Sequence, residues 1–153
     1  MPCKLERVIA LIQRVNEAQV RVDGELAAAI DRGVLALIGV QRGDNAECGA
    51  RLLERILAYR IFPDAEDRMN LSLRAVGGGL LLVPQFTLAA DTHKGTRAGF
   101  STAAQPAEAE RLFTDLLIRA RELYAPVSAG VFGAYMQVSL VNDGPVTFWL
   151  EAR

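Results

Sequence analysis

The polar residues that could take part in chemistry lie in two short segments of the chain. Gln85 and Thr87 flank Phe86 directly after an apolar run, and Asn142-Asp143-Gly144-Pro145 joins two apolar runs near the C-terminus. A lone threonine hydroxyl without an adjacent base is a poor nucleophile. Chemistry at the first segment would therefore rely on positioning and backbone electrostatics.

Familiar catalytic motifs are absent from the sequence. His93 is the only histidine, no Gly-x-Ser-x-Gly elbow is present, and no motif places a carboxylate to orient the imidazole. These absences argue against a Ser-His-Asp triad and a histidine-rich zinc site. The P-loop and the Gly-x-Gly-x-x-Gly fingerprint are also missing. We interpret His93 as a solvated loop residue.

Local pattern alone favours a hairpin turn at the second segment. Asn, Asp and Gly before a proline are ordinary turn residues. Proline has no backbone N–H and restricts the residue before it, so a central strand would not normally contain it. A cis Gly144-Pro145 bond is not indicated by spacing, because only about 5% of X–Pro bonds in folded proteins are cis.

The elements that would position these segments are strands with two helices. The nearly continuous apolar run from Val34 to Val40 predicts a central strand that is buried on both faces. Shorter strands are predicted at Val8 to Val15, Ala18 to Val22, Glu25 to Ile30, Met69 to Leu73 and Leu80 to Val83.

Helical spacing is typical of two segments. The first runs from Asp44 to Arg60, with Asp44 and Glu47 as a capping box, and the second runs from Pro106 to Tyr124. The polar loop from Asp91 to Gly99 directly follows the first candidate segment, so we expect it to contact substrate.

Composition limits the domain count and the class of partner. A chain of 153 residues is long enough for one domain. Half of the residues are hydrophobic and under a quarter are charged, which favours a homodimer that covers apolar surface. The net charge of −1 argues against a protein that wraps long duplexes, but it allows recognition of a nucleic-acid end.

The two cysteines and the hydropathy pattern predict a cytoplasmic location. Cys3 and Cys48 are far apart and form no Cys-x-x-Cys, so we expect neither a disulfide framework nor a zinc knuckle. No apolar run approaches the roughly 20 residues that span a bilayer, and no signal peptide is apparent. We therefore expect no membrane association.

Several longer motifs carry a resemblance to a known family. The chain resembles the D-aminoacyl-tRNA deacylases, historically called D-tyrosyl-tRNA deacylases, over almost its whole length. The matching segments are 9–15, 59–62, 69–71, 84–91, 132–138 and 142–148. Family chains typically begin where Val8 stands, so we interpret residues 1–7 as an N-terminal extension and residues 8–153 as a single deacylase domain.

The resemblance implies a fold and an activity. The fold would be mixed α/β and rich in strands, with three layers in β/β/α order. The activity would be hydrolysis of the ester of D-aminoacyl-tRNA, and of mischarged glycyl-tRNA, with L-aminoacyl-tRNA spared. It would serve chiral proofreading in translation, in a homodimer that acts on the 3′ end of aminoacyl-tRNA without a cofactor or a metal.

The resemblance also implies roles for individual residues. The backbone N–H groups of Phe86 and Thr87 would face the substrate carbonyl, the 2′-hydroxyl of the RNA would help to activate water, and Gln85 would shape the adenosine pocket. A cis Gly144-Pro145 peptide would reach into the site of the partner subunit and exclude L side chains. Arg14 and Met136 lie in matching segments, and we predict that they bind substrate.

Two departures from the family pattern leave an alternative open. Pro84 stands where the family usually has serine, and Arg97-Ala98-Gly99-Phe100 stands where it usually has Arg-Pro-Ser-Phe. The alternative is a dimeric module that binds an RNA end without catalysis.

Overall fold

The computed structural model describes residues 8–152, which form a six-stranded sheet with helices on one face and a separate two-stranded sheet. The predicted extension, residues 1–7, lies outside the described residues. The strands are β1 (Val8–Val22), β2 (Glu25–Ile30), β3 (Gly33–Gly39), β4 (Phe62–Pro63), β5 (Met69–Leu71), β6 (Gly79–Pro84), β7 (Val127–Ala129) and β8 (Met136–Ala152). The helices are α1 (Ala46–Ala58), α2 (Leu73–Val76) and α3 (Pro106–Leu123), with a 3-10 helix at Phe86–Ala89.

Strand β1 is the central element of the sheet. β2 and β3 follow one another along one edge of β1, and β8 pairs antiparallel with its other edge over nearly its full length. The sequence predicted two strands separated at Asn16-Glu17, whereas the structure has one continuous strand that is irregular at that point. Asn16 and Glu17 are exposed, so polar side chains are accommodated there without ending the strand.

The hairpin that local pattern favoured at Asn142 to Pro145 is not formed. Gln13 pairs with Thr147 and Val15 pairs with Asn142, so one residue of β1, Arg14, lies opposite residues 143–146 of β8. Residues 143–146 form a large bulge within a single strand, with four residues opposite one. The chain continues in the same direction after the bulge. A bulge bends its strand and re-aims the side chains and the backbone.

The central strands are buried on both faces, as the sequence predicted for residues 34–40. In β3, Val34, Ala36 and Ile38 pack against α1 and α3, whereas Leu35 faces a second apolar cluster with Val20 and other residues. β2 curls over to contact β6 and β7, and Ser128 donates a hydrogen bond of 3.4 Å to the carbonyl of Ala29. The curled sheet and the helices give the three layers, which confirms the predicted fold class.

Both predicted helices are present, with different caps. α1 is capped by Asn45, whose side-chain oxygen accepts a 2.9 Å hydrogen bond from the N–H of Cys48. The predicted cap, Asp44, instead accepts a 2.6 Å bond from the N–H of Gln41. The one-turn helix α2 was not predicted, because its four residues are too short for a periodic pattern.

The expectation that Cys3 and Cys48 form neither a disulfide framework nor a zinc knuckle involves Cys3, which lies outside the described residues. Within residues 8–152, no helix is long and apolar enough to cross a membrane.

Candidate functional site

A short 3-10 helix at the end of β6 presents two backbone donors. The N–H of Gln85 bonds to the carbonyl of Ile38 at 2.8 Å, which extends the pairing of β6 with β3 by one residue. The hydrogen bonds of the helix begin with the N–H of Leu88, which reaches the carbonyl of Gln85 at 3.2 Å. The N–H groups of Phe86 and Thr87 come before this first bond and therefore receive no partner from the helix.

The side chains on this helix do not supply a base. The amide nitrogen of Gln85 donates to the hydroxyl oxygen of Thr87, and the Thr87 side chain is exposed. An amide nitrogen is a donor and cannot remove a proton from a hydroxyl. Thr87 is thus held in place by Gln85, but it is not activated as a nucleophile.

Two exposed aromatic rings lie beside these donors. The Phe86 side chain is 61% exposed and that of Phe100 is 48% exposed, and their ring centroids are 5.4 Å apart. Phe100 was not singled out from the sequence, although it directly follows the loop from Asp91 to Gly99 that was expected to contact substrate. The pair offers apolar ring surface at the edge of the helix, which suits a flat aromatic group.

Met136 packs against the same end of β6. A Cβ atom placed on Gly130 would lie 2.9 Å from the sulfur of Met136 and 3.5 Å from Cδ of Pro84, so both side chains line the backbone of Gly130. The N–H of Val131 lies 3.4 Å from the Met136 sulfur, which accepts a weak hydrogen bond. Met136 thus lies near Pro84, the residue before Gln85. We name Gln85, Phe86, Thr87 and Met136 the strand-end group.

The guanidinium of Arg14 holds the bulge of β8. Its Nε donates to the carbonyl of Asp143 at 2.9 Å, and a terminal nitrogen donates to the carbonyl of Ile61 at 2.7 Å. The Arg14 side chain is only 13% exposed, and the carboxylate of Asp143 lies 3.4 Å from Nε. Charge-assisted bonds to a mostly buried guanidinium fix the position of the carbonyls that accept them.

Asn142 holds the bulge from within β8. Its side-chain oxygen accepts a 2.7 Å bond from the N–H of Val146, and its amide nitrogen donates to the hydroxyl of Thr147 at 2.8 Å. Sequence reasoning assigned no role to Asn142 beyond a turn. Asparagine commonly bonds to the backbone a few residues ahead, so this role was open to prediction from the motif.

The backbone at Gly144 requires glycine. Its φ is +138°, and a Cβ atom would lie 2.7 Å from Cγ2 of Val146 and 3.2 Å from a terminal nitrogen of Arg14. The Gly144-Pro145 bond is cis, as the family resemblance implied, and both residues are exposed. Arg14, Gly144 and Pro145 form a second group, which we name the bulge group.

The two groups lie apart within one chain. Arg14 pairs with Val34 and Pro84 pairs with Ile38, so the groups are four residues apart along β3. This separation is about 13 Å along the strands, with three strand spacings, about 14 Å, across the sheet from β8 to β6. The residues that the sequence analysis assigned to one site are thus divided between two places in a single chain.

His93 lies in the polar loop and faces solvent, as predicted. Its side chain is 91% exposed, and its Nδ1 lies 2.8 Å from the carboxylate of Asp91. No sequence motif placed a carboxylate beside His93, and the structure supplies Asp91 there. In the described part of the chain no hydrogen bond joins His93 to Thr87. Hydrogen bonds from the backbone and ring of His93 lower the pKa of Asp91.

A family model and individual relatives assign the chain to the same family. The family model described as D-Tyr-tRNA(Tyr) deacylase matches residues 11–151. A protein from Thioalkalivibrio sulfidiphilus named D-aminoacyl-tRNA deacylase is 65% identical over 144 residues, which cover 94% of this chain and 97% of that protein. One of the same name from Vibrio cholerae is 58% identical over 148 residues, which cover 95% of this chain and 100% of that protein.

Solved structures show the same fold. A structure titled c-Myc DNA Unwinding Element Binding Protein superposes with a TM-score of 0.91 at 36% identity and covers 95% of this chain and 99% of its own. A probable eukaryotic D-amino acid tRNA deacylase has a TM-score of 0.82 at 15% identity, covering 95% of this chain and 99% of its own. At that lower identity the likeness concerns the fold alone.

Proposed function

Because this chain belongs to the D-aminoacyl-tRNA deacylase family, we propose that it hydrolyses the ester between a D-amino acid and the 3′-terminal adenosine of tRNA. The products are free tRNA and the D-amino acid, and the reaction serves chiral proofreading in translation. The observation that carries this proposal is the pair of backbone donors at Phe86 and Thr87, which stand at an exposed strand end without helix partners. Glycyl-tRNA is a second substrate, since glycine has no side chain for a chiral barrier to exclude.

The reaction makes modest demands on the protein. An aminoacyl ester is already activated, so a positioned water and a stabilised oxyanion are sufficient. The oxygen of water bonds to the carbonyl carbon, and the carbonyl oxygen becomes an oxyanion that accepts hydrogen bonds from the N–H groups of Phe86 and Thr87. The carbonyl re-forms as the bond to the ribose 3′ oxygen breaks, and that oxygen takes up the proton that the attacking water gives up.

The substrate supplies part of the catalytic machinery. The 2′-hydroxyl of the terminal ribose is next to the ester and orients the attacking water by a hydrogen bond. Gln85 holds the side chain of Thr87 and shapes the pocket for adenosine, together with Met136. This arrangement needs no general base from the protein, which fits the absence of an activating group beside Thr87.

Selectivity against L-amino acids comes from the bulge group of a second subunit. Gly144 and Pro145 are exposed in one chain and lie about 13 Å along the strands from the strand-end group. A homodimer brings them to the strand-end group of its partner, where a backbone without a mobile side chain occupies the space that an L side chain needs. Arg14 positions this barrier through its bonds to Asp143 and Ile61.

We place the reaction in the cytoplasm, because aminoacyl-tRNA is made and used there.

Purified protein should release tyrosine from D-Tyr-tRNA and glycine from Gly-tRNA, and it should leave L-Tyr-tRNA intact. Single-turnover release of labelled amino acid measures all three. Tight binding of the tRNA end with no hydrolysis of D-Tyr-tRNA would contradict the proposal. That result would favour the RNA-binding module, for which Pro84 and the Arg97 loop are the support.

Phe86→Pro and Thr87→Ala separate the backbone role from the side-chain role. Proline removes the N–H and is tolerated at the first position of a helix. We expect Phe86→Pro to lower kcat by about 10²- to 10³-fold, as for loss of one oxyanion donor. Thr87→Ala keeps both donors and should retain most activity, whereas loss of a true nucleophile costs about 10⁶-fold in kcat.

The matched control is Phe86→Ala, which removes the same ring as Phe86→Pro and keeps the N–H. If Phe86→Ala lowers kcat as much as Phe86→Pro does, the backbone role is refuted.

Gly144→Ala should raise KM for D-Tyr-tRNA. A methyl group at this position would collide with Val146, so the backbone of residues 144–145 must shift. A loss of about 1–3 kcal/mol of substrate binding from that shift corresponds to a roughly 5- to 150-fold rise in KM. Gly24→Ala is the control, because Gly24 also has a positive φ, +78°, but has no atom within 4 Å of the added Cβ. An unchanged KM in a folded Gly144→Ala dimer would contradict the barrier.

A further inference from the structure

The cationic side chains of the described chain differ in whether they have partners. Arg51 pairs with Glu47 at 3.2 Å, and Arg74 pairs with Glu54 at 3.2 Å. Others bond to carbonyl or amide oxygens or lie over aromatic rings. Among residues 8–152, the cations whose side chains have no such partner fall into two sets, which are Arg42, Lys94 and Arg97 near the strand-end group, and Arg111, Arg119 and Arg121 on α3.

Lys94 and Arg97 lie in a loop whose base is fixed. Asp91 and Gly99 exchange two backbone hydrogen bonds of 2.7 and 2.8 Å, and this pair closes the loop two residues after the 3-10 helix. Phe100, directly after the loop, packs on Phe86. The loop is therefore anchored at both ends beside the backbone donors, and both cationic side chains are exposed.

Arg42 reaches the same region from the other side. Its N–H bonds to the carbonyl of Thr102 at 3.1 Å, and the hydroxyl of Thr102 donates to the carbonyl of Ala89, the last residue of the 3-10 helix, at 2.5 Å. The acidic residues nearby are engaged elsewhere: Asp91 contacts His93, and Asp44 is buried and accepts from Gln41. Three exposed cations thus belong to the segments that flank the helix, and among residues 8–152 no ion pair joins any of them to an acidic side chain.

We infer that Arg42, Lys94 and Arg97 bind backbone phosphates of the unpaired 3′ strand of the tRNA that leads into the site. This inference rests on the proposed function, since it assumes that the terminal adenosine ester lies at Phe86 and Thr87. The strand that leaves this point carries one negative charge per nucleotide, and the cations offset the repulsion expected from a chain of net charge −1. Contacts to phosphates position a strand without reading its sequence.

The test compares two matched double variants and one triple variant. Lys94→Gln/Arg97→Gln should raise KM for D-Tyr-tRNA with kcat unchanged, by about fivefold per cation at 0.1 M salt, and should reduce the slope of log KM against log salt by about 1.4. Adding Arg42→Gln should bring the reduction to about 2. Arg119→Gln/Arg121→Gln changes the net charge equally on α3 and should leave both quantities unchanged, because salt screens charges beyond about 10 Å.

A phosphate-free substrate and a binding assay keep the inference separate from the proposed function. 3′-O-(D-tyrosyl)adenosine carries no phosphate, so the loop variants should hydrolyse it as the unaltered protein does. Equal losses on this ester would show a structural role and overturn the inference, and so would an unchanged salt slope with tRNA. If no ester is hydrolysed, the proposed function fails, and fluorescence anisotropy with uncharged tRNA at several salt concentrations still tests the phosphate contacts.

Discussion

Arg14 of β1 lies opposite four residues of β8, where the regular pairing of the two strands is interrupted. Its guanidinium donates hydrogen bonds to the carbonyls of Asp143 and Ile61. A mostly buried cation must find acceptors, and the carbonyls of Asp143 and Ile61 supply them. Because those bonds and the side chain of Asn142 determine the path of residues 143–146, Gly144 and Pro145 project from an otherwise continuous strand. The chiral barrier that we propose depends on this local departure from strand pairing.

The proposed chemistry depends instead on regular pairing, which β3 and β6 maintain to the end of β6. The parallel register of β3 and β6 extends to Ile38 and Pro84, and the next N–H, of Gln85, still bonds to β3. The chain then tightens into a 3-10 helix, in which the N–H groups of Phe86 and Thr87 receive no partner from the helix. Donors fixed by the backbone need no reorganisation when charge develops on the substrate, which explains how a site without a triad can be catalytic.

Sequence reasoning was accurate where local pattern determines structure. The apolar run at residues 34–40 correctly predicted β3 as a strand buried on both faces. Helical spacing predicted α1 and α3 within about two residues, the usual uncertainty of helix ends. The prediction of a turn at residues 142–145 was wrong because a segment distant in sequence determines their structure. Pairing with β1 keeps residues 142–147 in one strand, although their local sequence is typical of a turn. Arg14 and the Gly144-Pro145 element came from family resemblance, because no spacing rule connects residues 129 positions apart.

Mixing two impaired variants, assayed with D-Tyr-tRNA well below its KM, tests most directly whether the site is shared between subunits. Gly144→Ala damages the bulge group and Phe86→Pro damages the strand-end group, so a mixed dimer has one intact site if the groups act across the interface. After subunit exchange, we expect D-Tyr-tRNA hydrolysis to rise to about a quarter of the unaltered level, since half of the dimers are mixed and each has one of two sites intact. Activity that stays at the level of the separate variants, with exchange verified by differently tagged subunits, would contradict a site built from both chains.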